Sequence, residues 1–240
     1  MLLLPLMDAT YLEEKATTEQ LLAFSHSVRQ SPILPAGICV YPQHLSLLRS
    51  ELRDLPLAWS AAINFPSGTL TDAQIKEQIK QARNLGATEL DIVMPYSAFL
   101  KEKNMIAVSD FIAMCREQMG NTILLKLILE TGEIQDPKMI YELSYLCCEQ
   151  RVDFIKTSTG KVIEGATLVA TANILQAIKE FAAHKQHRVG LKVSGGLKSQ
   201  AQALEYYEQV KLMLGVDWLT PKLFRIGASH LFKTIAFPEA

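Results

Sequence analysis

The chain has 240 residues, 49% of them hydrophobic, and a net charge of −1 at pH 7 from 24 basic and 25 acidic residues. This balance gives no sign of a nucleic-acid partner or of binding to an anionic membrane. The apolar opening, residues 1–6, lacks a basic start and is too short for a signal peptide or a membrane span. The 4 cysteines and 5 histidines show no metal-ligand spacing, so we expect free thiols in a cytoplasmic protein without a metal site.

Strand-like and helix-like segments alternate along the chain. The predicted strands are residues 2–7, 36–41, 57–63, 89–94, 123–129, 153–157, 189–193 and 224–228. The predicted helices are residues 17–29, 71–85, 104–119, 136–150, 166–184, 199–214 and 229–235, with another opening at Pro42. Eight strand–helix units predict an α/β fold, a single (β/α)8 TIM barrel over residues 1–240. The alternative is an open doubly wound sheet, but no Gly-x-Gly-x-x-Gly motif follows an early strand.

Charged side chains interrupt four consecutive predicted strands that are otherwise apolar. They are Asp91, Lys126, Lys156 and Lys192. Asp8 and Asn64 follow the first and third predicted strands. Because active sites of this fold lie at the C-terminal ends of the strands, we expect these residues to form one buried polar network there.

Lys156 and Lys192 lie on neighbouring predicted strands, which run about 4.8 Å apart. Two ammonium groups at that separation repel each other, so we expect at least one of them to titrate low and to supply a nucleophilic amine. Asp91 is then a candidate proton shuttle. Taken alone, Lys156 has a simpler interpretation, a lysine that snorkels out of the end of its strand.

Glycine-containing turns follow the last two predicted strands, where barrel enzymes bind phosphate. The residues are Gly195 and Gly196 after the seventh strand, and Gly227, Ala228 and Ser229 after the eighth. Each turn alone fits an ordinary strand-to-helix connection equally well, but the two together favour a phosphate site. Thr159, Gly160 and Lys161 could add a cation and further hydrogen-bond donors.

The octapeptide Phe-Ile-Lys-Thr-Ser-Thr-Gly-Lys at residues 154–161 resembles the Schiff-base signature of the deoxyribose-phosphate aldolase family. The resemblance continues in residues 8–10, 37–42, 64–68, 86–91, 95–96, 125–132, 190–192 and 225–229. These segments cover almost the whole chain in the family's order.

The resemblance implies a class I aldolase that needs no metal or other cofactor. Its reaction is the reversible cleavage of 2-deoxy-D-ribose 5-phosphate to acetaldehyde and D-glyceraldehyde 3-phosphate, in the breakdown of deoxyribose phosphates. Lys156 would form the imine, Lys192 would perturb Lys156, and Asp91 would transfer protons. The implied substrate- and phosphate-binding residues are Asp8, Thr10, Cys39, Asn64, Lys126, Thr159, Gly160, Lys161, Gly195, Gly196, Gly227, Ala228 and Ser229. The family also implies a homodimer.

The sequence departs from the family pattern at three places. Val193 and Ser194 replace the usual Pro-Ala between the lysine and the glycine pair. Lys198 replaces an arginine that can form bidentate hydrogen bonds to phosphate. The tail, residues 237–240, carries no tyrosine to assist proton transfer. Two other functions remain open: a transaldolase-like Schiff-base enzyme with a longer phosphorylated substrate, and a catalytically silent barrel that senses sugar phosphates.

Overall fold

Eight parallel strands close into a barrel in the order β1 to β8, which confirms the (β/α)8 TIM barrel. The structure is a computed structural model that describes residues 2–185 and 187–238, so the last two residues of the tail considered above lie outside it. The strands are β1 (Met7–Tyr11), β2 (Gly37–Val40), β3 (Ala58–Ile63), β4 (Glu89–Val93), β5 (Leu124–Ile128), β6 (Phe154–Lys156), β7 (Gly190–Ser194) and β8 (Phe224–Ala228).

The helices surround the barrel and mostly begin at the predicted capping residues. They are α1 (Thr18–Arg29), α2 (Leu45–Leu52), α3 (Asp72–Asn84), α4 (Tyr96–Glu102), α5 (Met105–Met119), α6 (Thr131–Ile134), α7 (Pro137–Glu149), α8 (Leu168–Lys185), α9 (Gln200–Leu214) and α10 (His230–Ala236). Thr17 and Thr71 each form a capping box with the glutamine three residues later. In the described part of the chain, no helix is both long and apolar enough to cross a bilayer.

The predicted position of the first strand is wrong. Leu4–Leu6 form a short 3-10 helix, and β1 begins only at Met7. Pro5 explains the difference, because it lacks an N–H for a strand ladder and its fixed φ suits the first turn of a helix. Asp8 therefore lies inside β1, paired with Gly37 of β2 and Gly227 of β8, and does not follow the strand as predicted.

The strand alternation separates an apolar layer from a charged one. Residues such as Leu90, Leu125 and Ile155 face outward and belong to the large core between barrel and helices. Lys156 is paired in register with Lys192, so the predicted adjacency of the two lysines is confirmed. The barrel interior is thus where the charged side chains of the strands meet.

Candidate active site

A cluster of charged side chains fills the interior of the barrel. Its members, all buried, are Asp8, Glu89, Asp91, Lys126, Lys156, Lys192 and Arg225. Burial of charges is costly unless each one is paired and hydrogen-bonded, and in this cluster each one is. The strands therefore deliver one connected network, as the interrupted apolar runs predict.

The lower part of the cluster is an ion-pair network around Asp8. Arg225 donates to Asp8 Oδ1 and to Glu89 Oε1, the latter at 3.1 Å. Lys126 Nζ donates to Asp8 Oδ2 at 3.1 Å, to Ser60 Oγ at 2.7 Å and to Glu89. All donors of Lys126 are thus taken by the protein.

Asp91 forms the upper part of the cluster. Its Oδ2 accepts hydrogen bonds from Lys156 Nζ and Lys192 Nζ, each at 2.7 Å, and the Cys39 thiol lies 3.5 Å from the same oxygen. Its Oδ1 lies 3.2 Å from Lys126 Nζ, without the geometry of a hydrogen bond. One carboxylate oxygen therefore joins the two lysines that the sequence singles out.

The cations and carboxylates of the cluster hold each other in their charged forms. Burial raises the pKa of Asp91, but Lys126, Lys156 and Lys192 outweigh burial and hold that pKa well below its usual range. Burial likewise lowers the pKa of Lys192, but Asp8 and Asp91 outweigh it and raise that pKa above its ordinary value. Asp91 is thus a carboxylate at neutral pH, and Lys192 an ammonium.

The charged side chains of the cluster other than Lys156 have a net charge of zero. Its three carboxylates belong to Asp8, Glu89 and Asp91, and its cations other than Lys156 are Lys126, Lys192 and Arg225. Three negative charges are therefore matched by three positive ones. With Lys156 the cluster holds four basic side chains and three carboxylates.

Lys156 is also the one cluster member, within the described residues, that reaches a cavity. The cavity has a volume of about 260 Å³ and lies at the C-terminal ends of the strands. Lys156 is 2% exposed, whereas Asp91 and Lys192 are fully buried behind it. A small molecule in the cavity can therefore contact Lys156, whereas Asp91 and Lys192 do not line the cavity.

The glycine turns after β7 and β8 form one wall of this cavity. Within residues 2–185 and 187–238, the N–H groups of Gly195, Gly196 and Ser229 donate to no protein acceptor. Gly196 has φ +79° and no heavy atom within 4 Å of the position of a Cβ. These three N–H groups are free to bind an anion.

The segment after β6 contributes a cation but fewer donors than predicted. The N–H of Gly160 donates to Ser158 Oγ at 3.0 Å, and the N–H of Lys161 to Thr159 Oγ1 at 3.1 Å. Both amides are therefore used inside the loop. The Lys161 ammonium remains at the cavity wall, 3.6 Å from the carboxylate of Glu13, with 43% of its side chain exposed.

The structure divides the predicted site residues into two groups. Those that line the cavity are Lys156, Thr10, Thr159, Gly160, Lys161, Gly195, Gly196, Gly227, Ala228 and Ser229. Those that lie behind or below it are Asp8, Cys39, Asn64, Asp91, Lys126 and Lys192. In the second group, Asn64 bonds Val93 O and the N–H of Leu70, and burial followed by the charge of Asp91 raises the pKa of Cys39 to about 11.

Sequence reasoning missed several residues of this region. Glu89 and Arg225 belong to the cluster, but only Arg225 interrupts an apolar strand as the four predicted charges do, since Glu89 is the first residue of β4. Glu13 and His230 line the cavity from loop and helix positions that carry no sequence signal. Glu130 stands in a matched segment, but nothing in the sequence shows that its carboxylate bonds the loop after β6.

Comparisons with known proteins agree with this architecture. A model described as DeoC/LacD family aldolase matches residues 3–210. A protein from Toxoplasma gondii ME49 assigned as a deoxyribose-phosphate aldolase superposes with a TM-score of 0.89 at 21% identity, covering 98% of this chain and 91% of its own. One with the same assignment from Coccidioides immitis has a TM-score of 0.78 at 26% identity, covering 97% and 85%. The deoxyribose phosphate aldolase of Aeropyrum pernix, a tetramer, has a TM-score of 0.70 at 21% identity, covering 97% and 90%.

Proposed function

The chain belongs to the DeoC/LacD family of aldolases, which makes it a carbon–carbon lyase, and we propose that its substrate is 2-deoxy-D-ribose 5-phosphate. It cleaves this sugar reversibly to acetaldehyde and D-glyceraldehyde 3-phosphate through a Schiff base on Lys156. The observation that carries the proposal is the position of Lys156, which alone among the described cluster residues lines the cavity.

The covalent chemistry starts at the Lys156 amine. The amine adds to the C1 aldehyde of the open-chain sugar, and loss of water from the carbinolamine leaves a protonated imine. The hydroxyl on C3 then gives up its proton, the C2–C3 bond breaks, and its electron pair moves to the iminium nitrogen to form an enamine. D-Glyceraldehyde 3-phosphate leaves, C2 of the enamine takes up a proton, and water hydrolyses the imine to release acetaldehyde.

Asp91 and Lys192 serve the proton steps. Because Asp91 is a carboxylate at neutral pH, it accepts protons during carbinolamine formation and, through water, from the C3 hydroxyl. Lys192 stays charged and bonds the same Asp91 oxygen as Lys156, so it keeps that oxygen negative and in place. The Asp91–Lys192 pair thus holds a base next to the amine that reacts.

The substrate phosphate binds at the glycine wall of the cavity. The free N–H groups of Gly195, Gly196 and Ser229 and the Lys161 ammonium supply donors and positive charge there. Lys198, which stands where the family has an arginine, is not part of the wall, and its N–H donates to Gln202 Oε1 in α9. Phosphate binding therefore rests on the backbone and Lys161.

Release of free acetaldehyde tests the proposed substrate. Purified enzyme is incubated with 2-deoxy-D-ribose 5-phosphate, and acetaldehyde is followed with alcohol dehydrogenase and NADH. We expect turnover that Lys156→Met abolishes. A transaldolase-like enzyme releases no acetaldehyde and acts on a longer phosphorylated sugar, and a silent sensor binds the sugar without turnover, so either result contradicts the proposal.

The proposed function also leads to expectations about the location, assembly and partners of the enzyme. We expect a cytoplasmic homodimer that handles small sugar phosphates and aldehydes, with neither nucleic acid nor membrane as a partner. The four cysteines are free and buried, which suits a reducing compartment. Light scattering on the eluting protein should give the mass of two chains, and a tetramer like the Aeropyrum pernix relative would correct the dimer.

A further inference from the structure

Glu130 is a buried carboxylate that the proposed reaction does not use. It is fully buried, and its backbone is left-handed, with φ 61° and ψ 60°. Such a conformation costs a non-glycine residue free energy and persists only where the surrounding structure holds it. Within the described residues no cation lies within ion-pair distance of Glu130, so other groups must stabilise the carboxylate.

All hydrogen bonds of this carboxylate go to two residues that follow the Lys156 strand. Ser158 Oγ donates to Oε1, and Thr159 Oγ1 donates to Oε2 at 2.5 Å. The N–H of Thr159 lies 3.2 Å from both oxygens. These four contacts come from three donors, the two hydroxyl groups and the N–H of Thr159, and they satisfy the buried carboxylate. Both carboxylate oxygens must therefore act as hydrogen-bond acceptors.

The two hydroxyl groups connect Glu130 to backbone N–H groups of residues that line the cavity. Because each hydroxyl proton points to Glu130, each hydroxyl oxygen is left as an acceptor. Ser158 Oγ takes the N–H of Gly160 at 3.0 Å, and Thr159 Oγ1 takes the N–H of Lys161 at 3.1 Å. The backbone of Lys161 is therefore fixed through Thr159 to Glu130. Lys161 lines the cavity from this fixed backbone position.

We propose that Glu130 is a positioning residue that fixes the phosphate-binding cation Lys161 by way of Thr159, and the adjacent Gly160 by way of Ser158. This inference rests on the proposed function, because it assigns Lys161 to the substrate phosphate. The proposal predicts a change in phosphate affinity opposite in sign to the change expected from the charge of Glu130 alone. Removing a negative charge near an anion site should tighten phosphate binding, whereas loss of the positioning bonds should weaken it.

The test is calorimetric titration of the whole protein with inorganic phosphate, for the wild type and Glu130→Gln. The glutamine amide has one acceptor oxygen, and its NH2 group faces a donor of Ser158 or Thr159. We expect the Kd for phosphate to rise about tenfold, the size of one lost charge-assisted hydrogen bond. A Kd that falls or stays unchanged overturns the positioning role.

Lys161→Met provides the matched background. If Glu130 acts through Lys161, Glu130→Gln should change the phosphate Kd less than about twofold once Lys161 is replaced. A further tenfold loss in that background means that Glu130 acts on the site by another route, and the proposal is wrong. Should Glu130→Gln not fold, Thr159→Val keeps the shape, removes the relay hydroxyl and carries the same two expectations.

Enzyme kinetics separates this inference from the proposed function. With 2-deoxy-D-ribose 5-phosphate, Glu130→Gln should raise KM while kcat changes little, and cleavage of unphosphorylated deoxyribose should keep its rate. A wild-type protein that binds phosphate but releases no acetaldehyde would refute the proposed substrate. The phosphate titration would then still test the positioning role of Glu130 by itself. Equal losses with both sugars would mean general damage and would overturn the positioning role.

Discussion

At the scale of single residues, we expect Asp91 to be important for catalysis, because one of its oxygens binds both Lys156 and Lys192. Asp91→Asn keeps the shape and removes the base, so we expect kcat to fall by roughly 10²-fold or more. Asp153→Asn is the control, since Asp153 pairs with Arg116 and caps the N–H of Leu125 at the other end of the barrel. A folded Asp91→Asn enzyme with the turnover of the control would remove Asp91 from the mechanism.

We expect Lys192 to set the pH range in which Asp91 works as a base. Its charge is one of those that lower the pKa of Asp91, so Lys192→Met should raise that pKa. A base with a raised pKa stays protonated to higher pH, so the acid limb of kcat/KM should move to alkaline pH. The measurement is the pH profile of kcat/KM for both enzymes. A loss by the same factor at every pH would mean that Lys192 donates protons or holds substrate.

Single residues of the site were predictable where a charge broke an apolar run. Asp91, Lys126, Lys156 and Lys192 were found in this way, and the structure brings them together. Arg225 breaks such a run too, whereas Glu89 opens β4 after the polar Thr88 and carries no comparable signal. The direction of Lys161's N–H could not be predicted, because it depends on a hydroxyl that Glu130 orients from another strand.

At the scale of elements, we expect the turn after β7 to bind the substrate phosphate. Gly196→Asp places a carboxylate beside the substrate phosphate, so KM for the phosphorylated sugar should rise strongly while unphosphorylated deoxyribose is spared. Gly215→Asp is a matched control, because Gly215 also has positive φ and no heavy atom near its Cβ position, but it ends α9 away from the cavity. Equal increases of KM in both variants would point to backbone strain and contradict the phosphate wall.

Elements were predicted well where periodicity and capping agreed. The capping boxes at Thr17 and Thr71 mark α1 and α3 correctly. The start of β1 was missed because Leu3, Leu4 and Leu6 are apolar and buried without being a strand. Burial alone does not distinguish a strand from a 3-10 turn that packs against the core, and Pro5 was the signal to weigh.

The charged interior couples the stability of the whole barrel to pH. The pKa values of Asp8 and Asp91 are lowered in the fold, so their contribution is present above about pH 3.9 and is lost as pH falls further. The pKa of Lys192 is raised, so its contribution is complete below about pH 10.4 and is lost as pH rises through the folded value. We expect urea midpoints that are level from about pH 5 to 9 and fall on both sides.

Two aspartate variants check this expectation. Asp8→Asn strips one carboxylate from a buried network, which should cost about 3–5 kcal/mol at pH 7 and flatten the acid limb. Asp54→Asn removes an exposed carboxylate whose ion pair with Arg29 is screened by solvent, so it should leave the acid limb nearly unchanged. The same acid limb in wild type and Asp8→Asn would show that the interior network does not control acid stability.

The whole architecture was predictable because eight regular strand–helix units leave few ways to close a parallel sheet. The register that sets Lys156 beside Lys192 follows from that closure. Which cluster member opens to the cavity does not follow from it, since that depends on a loop packed above each strand end. Only the three-dimensional arrangement identifies Lys156 as the accessible amine.

Imine trapping tests the central claim most directly. The enzyme is incubated with 2-deoxy-D-ribose 5-phosphate and borohydride, digested, and examined by mass spectrometry beside Lys156→Met. We predict that the reduced adduct forms on the peptide that carries Lys156, that the modified site is Lys156, and that the variant stays unmodified. An adduct on Lys161 or Lys192 with Lys156 unmodified, or full turnover with no trapped adduct at all, would contradict a Schiff base on Lys156.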